Sequence, residues 1–184
     1  MKILIVKTSS MGDVIHTLPA VDDIYNNMPN TKIDWIVEPG FAEIPKLHKA
    51  VNKVIEFPIR KWRKNFFKYL FNGEIKAAIK KLRSEKYDLI IDAQGLYKSA
   101  FISKLARVVA GGRVFGLDRK SIREPLASFF YNDVVRVKKN QHAVNINRTL
   151  FAKVLNYEVN LAKVNYGLDI EKIKNKPDDL ICDL

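Results

Sequence analysis

The sequence predicts an α/β domain of Rossmann-like type, a parallel sheet with helices on both faces. Three observations carry that expectation. Short β-branched runs alternate with segments of helical periodicity. Glycine and proline breakers fall between them, at 29, 39–40, 73, 95 and 111–112. The repeated strand-then-helix order needs crossover connections, which is the signature of parallel strands covered on both sides.

The elements follow in order. Residues 2–6 form an apolar first strand, followed by a polar turn and a helix in which Leu18, Val21, Ile24 and Tyr25 share a face. Thr17 is placed to cap that helix, with Pro19 in its first turn, where a missing N–H costs little. Residues 32–37 and 53–56 are the next strands. In the segment that follows, Trp62, Phe66 and Tyr69 are spaced i, i+4, i+7 and are expected on one helical face. Ile75, Ala78, Ile79 and Leu82 mark another helix, 88–92 and 113–115 two more strands, and Val144, Leu150, Phe151 and Leu155 a last helix. Beyond Tyr157 the pattern weakens. Residues 171–183 are polar, with Leu180 and Ile181 starting what reads as a further strand.

A chain of 184 residues, 47% hydrophobic and 28% charged, suits one compact domain or at most one and a half. Its single cysteine, Cys182, excludes a disulfide framework or a four-cysteine zinc site and suits a reducing compartment. The three histidines, His16, His48 and His142, lack metal-ligand spacing, so no metal is expected. No apolar run approaches the roughly 20 residues that span a bilayer, and the amino end reads as a buried strand rather than the core of a signal peptide.

The net charge of +12 is concentrated. Residues 58–86 hold ten Lys or Arg against two Glu, whereas residues 1–50 hold five basic and six acidic side chains. A local basic field of that kind implies an anionic partner: phosphorylated lipid, nucleic acid or a membrane surface. A Lys-rich helix that merely faces solvent gives the same count.

In an open α/β sheet ligands bind beyond the carboxyl ends of the strands, so the loops there are the candidate sites. The first runs KTSSMGDVIHTLPA from Lys7 to Ala20. Gly12 would let a ligand approach, and Ser9, Ser10 and Thr17 supply hydroxyls. The loop is neither a Walker A sequence nor a GxGxxG. Asp13 is either a first-turn acid that favours the helix dipole or a carboxylate aimed at a substrate hydroxyl. The second site, from Arg60 to Tyr69, alternates cations with aromatics, a surface suited to phosphates beside an apolar body. The third, DAQGLYKSA from Asp92, offers Gln94, Lys98 and Ser99 at the same sheet edge. His142 by itself reads as a structural histidine.

KTSSMGDVIHTLPA, IRKWRK, DAQGLYKSA, REPLASFFYN and QHAV occur here in the order found in glycosyltransferase family 9, which the chain resembles from Met1 to about Tyr157. The resemblance implies the amino-terminal half of a GT-B enzyme, in which two Rossmann-like domains face across a cleft. It also implies transfer of L-glycero-D-manno-heptose from ADP-heptose to the inner Kdo of Kdo2-lipid A, with inversion and without a metal. The GD-pair aspartate, Asp13, is the implied general base. Arg60, Lys61, Arg63, Lys64 and Arg123 are implied to hold the anionic acceptor, with Ser9, Ser10, Gly12, Thr17, Gln94, Lys98 and His142 lining its site. The family has arginine where Lys61 stands, and lysine keeps the charge but loses the bidentate fork.

No cofactor is implied, ADP-heptose being a substrate bound mainly by a second domain. The family works at the cytoplasmic face of the inner membrane, so contact with anionic lipid is expected and nucleic acid is not. The expected division is an acceptor-binding domain over 1–160, then a linker and the start of a donor-binding domain over 161–184. Such a chain alone is expected to bind acceptor without catalysing transfer. The rival from another class is a basic, non-catalytic module holding membrane or RNA, and within the family a transferase with a different acceptor.

Overall fold

The computed structural model describes residues 1–169 and 171. The possible strand at 180–181 and Cys182 lie outside them. A six-stranded parallel sheet runs in the order β3-β2-β1-β4-β5-β6. Its strands are β1 (Lys2–Val6), β2 (Lys32–Val37), β3 (Val51–Glu56), β4 (Lys86–Asp92), β5 (Arg107–Leu117) and β6 (Asp133–Val135). The helices are α1 (Met11–Ile15), α2 (Leu18–Asn27), α3 (Glu43–Lys46), α4 (Ile59–Lys64), α5 (Phe66–Phe71), α6 (Glu74–Leu82), α7 (Tyr97–Leu105) and α8 (Ala143–Leu155). Short 3₁₀ turns occupy Pro39–Phe41 and Pro125–Phe130.

Consecutive residues Ile3, Leu4, Ile5 and Val6 are all fully buried, although their side chains alternate between faces. Only a sheet covered by helices on both sides permits that, which is why the central strands read as unbroken apolar runs. Trp35 on β2 is the largest fully buried side chain, and its indole N–H donates to the Lys7 carbonyl at 3.0 Å. That bond ties β2 to the first loop. On the helical side α2 packs against α8, where Arg148 is 2% exposed and donates twice to Asp23, at 2.7 and 3.0 Å.

β1 and β2 match their expected bounds. β3, β4 and β5 start earlier than expected, and β6, three half-exposed residues at the sheet edge, lacks a period to read. Gly111 and Gly112 do not separate elements. They lie inside β5, where its pairing jumps from Tyr87↔Val108 to Leu89↔Arg113. Gly111 there takes φ +80°, and a β-carbon on Gly112 would come within 2.9 Å of the Tyr87 carbonyl oxygen. Tyr25 is 39% exposed rather than on the buried face, with the Lys49 ammonium 4.4 Å from its ring centre.

The expected single helix through Trp62, Phe66 and Tyr69 is two. Asn65, at φ −146° and ψ 61°, ends α4 and begins α5. The change of direction buries Trp62 to 6% and leaves Phe66 52% exposed. At the far end the chain folds back, with Lys49 N–H donating to the Gly167 carbonyl and Asp169 N–H to the Leu47 carbonyl. None of the helices among the described residues is long and apolar enough to cross a membrane.

Candidate active site

The strand order reverses direction between β1 and β4, and a doubly wound sheet binds its ligands in the crevice at that switch point. The loops leaving β1 and β4 are joined there. Gln94 Oε1 accepts from both Thr8 N–H at 3.0 Å and Ser9 N–H at 3.1 Å. The second loop is held from below by Asp92, fully buried, whose Oδ1 accepts from Gln94 N–H and Gly95 N–H while its Oδ2 accepts from the Tyr131 hydroxyl at 2.9 Å. Burial pushes the Asp92 carboxyl upward from its ordinary range, and those three donors together with Ser99 oppose the shift. Gly95, at φ +68°, passes so close to Ile122 that a β-carbon would lie 2.8 Å from its Cγ1. The Ile122–Arg123 segment is thereby fitted onto the crevice.

Asp13 is half-buried in the first turn of α1. Its Oδ2 accepts from Ser10 N–H at 3.0 Å and from the Ser10 hydroxyl at 3.3 Å. One oxygen thus caps the helix, as the first-turn reading expects, and Oδ1 has no protein hydrogen-bond partner among the described residues. Gly12 is exposed, and a β-carbon there would meet nothing within 4 Å. The space above the loop is open, but Gly12 is helical and does not need a glycine-only conformation.

The cations divide by place. Lys98 Nζ reaches the Ser9 hydroxyl at 3.5 Å, so α7 meets the first loop. Arg123 is exposed and close enough to Lys7 for its charge to be felt there, as is that of Asp13. Arg60 N–H donates to Glu38 Oε1 at 3.0 Å, and the guanidinium lies 5.3 Å from the Phe41 ring centre. Arg60 and Arg63 on one side and Lys98 on the other line an open groove of about 740 Å³ between α4–α6 and α7. Its apolar lining includes Trp62, Ile75, Ile79, Ile102 and Leu105. Lys64 is exposed on the far end of α4.

Four of the residues expected to contact the ligand hold bonds within the protein. Lys61 Nζ sits between both oxygens of Glu74 at 2.9 Å, and Trp62 donates to the same carboxylate, so Lys61 fastens α4 to α6. Thr17 is fully buried, its hydroxyl donating to the Asp13 carbonyl and accepting from Asn147 Nδ2. It supports the loop from beneath. His142 caps α8, its Nδ1 accepting from Val144 N–H at 3.3 Å, and its ring meets His16 edge-on at 5.0 Å. Gln94, only 8% exposed, turns its oxygen inward to the loop as described.

Two charged residues of the site were not selected from sequence. Lys7 is 6% exposed, with Nζ donating to the Ala93 carbonyl at 2.8 Å. Loss of water lowers its ammonium below the ordinary lysine range, Arg123 adds to that, and Asp13 and Asp92 oppose it. Glu38, 5% exposed, is raised by burial against the Arg60 N–H and the charges of Arg60 and Lys98. Each is the residue right after its strand, and that position was the available signal.

The model of glycosyltransferase family 9 (heptosyltransferase) matches residues 75–180. The chain is 51% identical over 173 residues to the lipopolysaccharide heptosyltransferase 1 of Pseudomonas aeruginosa, covering 94% of this chain and 48% of that protein. Against the protein of the same name from Escherichia coli K12 the identity is 48% over 179 residues, or 97% of this chain and 55% of the other. The solved structure of the E. coli heptosyltransferase WaaC with ADP superposes with a TM-score of 0.88 at 47% identity, covering 97% of this chain and 55% of that one. The chain thus spans about half the length of the curated relatives it matches. With more than half of its own residues inside the family's model, the chain belongs to glycosyltransferase family 9, the heptosyltransferases.

Proposed function

We propose that this chain is the acceptor-binding half of a lipopolysaccharide heptosyltransferase that moves L-glycero-D-manno-heptose from ADP-heptose to the inner Kdo of Kdo2-lipid A. The observation that carries the reading is a carboxylate, Asp13, held by one oxygen over an open crevice with cations from three other elements around it. An acceptor bearing carboxylates and phosphates matches that charge. The relatives named above are lipopolysaccharide heptosyltransferase 1 proteins, which supports heptose transfer in lipopolysaccharide assembly.

In the reaction, Asp13 takes the proton of the acceptor hydroxyl as that oxygen bonds to the anomeric carbon of heptose. The bond from that carbon to the ADP oxygen breaks on the opposite face, and ADP leaves with the electron pair, so the configuration inverts. Ser10 fixes the carboxylate, and Thr17 and Gln94 fix the loop that bears it. Lys98, Arg123, Arg60 and Arg63 orient the acceptor through its anionic groups. Contacts to ADP-heptose fall to the part of the longer relatives that this chain does not span. Without them the sugar is not positioned, and positioning alone can supply roughly 7–11 kcal/mol of a barrier. The site is read as working at the cytoplasmic face of the inner membrane.

The test is Asp13→Ala in an enzyme that carries both halves. Transfer is expected to fall by about 10²–10⁴-fold, the range of a general base, with acceptor binding near normal. Asp13→Asn, which keeps an oxygen for Ser10, is expected to lose transfer as completely. Turnover retained in the Asn variant rejects the assignment.

A further inference from the structure

Helix α5 has no partner for much of its side-chain surface. Phe67 is 71% exposed and Phe71 83%, their rings stacked at 6.5 Å, and Phe66 meets Phe67 edge-on at 5.8 Å. Neither Phe67 nor Phe71 lines the groove beside the candidate site. Tyr69, by contrast, is partly buried against the core, so one side of the helix is anchored while the other projects. Three aromatic rings grouped in water on a six-residue helix are a surface that something else covers.

The surroundings say what covers it. Arg63, Lys64 and Lys68 are exposed beside these rings, and none of them makes an ion pair among the described residues. Glu74, the nearby acid, is taken by Lys61 and Trp62. A protein partner could match the rings or the cations. A bilayer with anionic headgroups matches both at once, because aromatics enter the acyl boundary while lysine and arginine stay at the phosphates. Each such cation near an anionic leaflet contributes about 1 kcal/mol, a factor of about five in binding.

We infer that α5 is a membrane-insertion element, Phe67 and Phe71 entering the lipid and Lys64 and Lys68 holding its phosphates. The inference deepens the acceptor reading above and rests on it, since a lipid-borne acceptor has to be met at a bilayer surface. The break at Asn65 gives it a structural basis. It separates α4, whose Trp62 is buried and whose Arg60 and Arg63 line the groove, from a short helix turned outward.

The experiment is flotation of the full chain with vesicles of phosphatidylcholine alone and of phosphatidylcholine mixed equally with phosphatidylglycerol. The chain is expected to float with the anionic vesicles and not with the neutral ones. The double variant Phe67→Ser with Phe71→Ser is expected to bind the anionic vesicles on the order of tenfold more weakly, as lost burial of two partly inserted rings requires. Its circular dichroism and melting temperature should be unchanged, since both rings are exposed. Each of Lys64→Gln and Lys68→Gln is expected to weaken binding by about fivefold at low salt.

Unchanged vesicle binding in the double phenylalanine variant overturns insertion, even where the lysine variants bind weakly, because adsorption would then be electrostatic alone. A wild-type chain that is dimeric, with a monomeric phenylalanine variant that still floats, gives the face to a second copy and also overturns it. A water-soluble, deacylated Kdo acceptor separates the two readings. If that sugar fails to bind the wild-type chain, the acceptor reading fails whatever the vesicles do. If it binds wild type and double variant alike while only wild type floats, both readings stand.

Discussion

The crevice between β1 and β4 and the arm formed by α4 and α5 carry the same kind of chemistry on opposite physical terms. In the crevice, charged and polar groups are buried and their positions are fixed by bonds to the protein: Asp92 is fully buried and Gln94, Lys7 and Glu38 nearly so. On the arm, Arg63, Lys64, Lys68 and three phenylalanines stand in water with few contacts. The difference teaches where precision is needed. A base of the kind proposed for Asp13 has to sit within hydrogen-bond reach of one hydroxyl, which a pinned loop provides. A surface that meets a bilayer needs the right side chains in the right region and tolerates small displacements.

If that contrast is right, disruption of the crevice is severe for stability and disruption of the arm is mild. The largest effect is expected from Gln94→Ala. It removes the acceptor for two buried N–H groups, those of Thr8 and Ser9, and each unsatisfied buried donor costs about 1–3 kcal/mol. A loss of about 2–4 kcal/mol by urea denaturation is expected. Gln94→Glu keeps the acceptor oxygens and should recover part of it. A loss in Gln94→Ala no larger than that of a surface substitution would mean that the loop is held by something else.

Tyr131→Phe comes next. The hydroxyl donates to Asp92 Oδ2, and its removal leaves a buried carboxylate with one donor fewer. About 1–3 kcal/mol is expected. Burial, and then the charge of Asp92, raise the pKa of the tyrosine itself, which favours its protonated hydroxyl as the donor. Gly116→Ala attacks the same bond from the other side, because a β-carbon at Gly116 would overlap the Tyr131 ring. The two losses should not add, since both act through the Tyr131–Asp92 contact.

Lys7 offers a pH-dependent test. Its ammonium is depressed below the ordinary 10.5 chiefly by burial. Between the depressed value and 10.5 the unfolded chain binds the proton more tightly than the native one, so this residue's contribution makes stability rise with pH across that window. Below the folded value the cost of the buried charge is fully present, and it is relieved as the pH approaches 10.5. The stability difference between wild type and Lys7→Met, measured in urea from neutral to alkaline pH, should therefore grow in favour of wild type. A difference that stays flat would show that Lys7 is better solvated than its burial implies.

These predictions also mark what the sequence made legible. The fold class, β1 and β2, and the loops at the carboxyl edge were readable because unbroken apolar strands and glycine-marked turns are local signals. Asp13 was readable by its place after a strand, and its dual position as cap and free oxygen was not, because Ser10 is both a loop hydroxyl and a cap. The face through Trp62, Phe66 and Tyr69 failed at Asn65, since i, i+4, i+7 spacing assumes that one helix continues. Lys7 and Glu38 read as ordinary strand-end charges, because their burial comes from elements distant in sequence. The ion pair of Lys61 is not legible in the sequence, because its partner Glu74 stands thirteen residues away on another helix.

The smallest stability effect is expected on the arm, and it is the sharpest check of the contrast. Lys64→Gln removes one exposed cation that makes no ion pair among the described residues, so unfolding should change by no more than about 0.5 kcal/mol. Binding of an anionic acceptor or an anionic vesicle should nevertheless weaken at low ionic strength. The effect should shrink as salt rises, since a charge in water acts only over a Debye length of roughly 10 Å at 0.1 M and 3 Å at 1 M. Gln94→Ala should show the converse pattern, a large stability loss with little dependence on salt, because buried hydrogen bonds are not screened. If Lys64→Gln destabilised the chain as Gln94→Ala does, the arm would be part of the core scaffold and the division between a pinned crevice and a solvated surface would not hold.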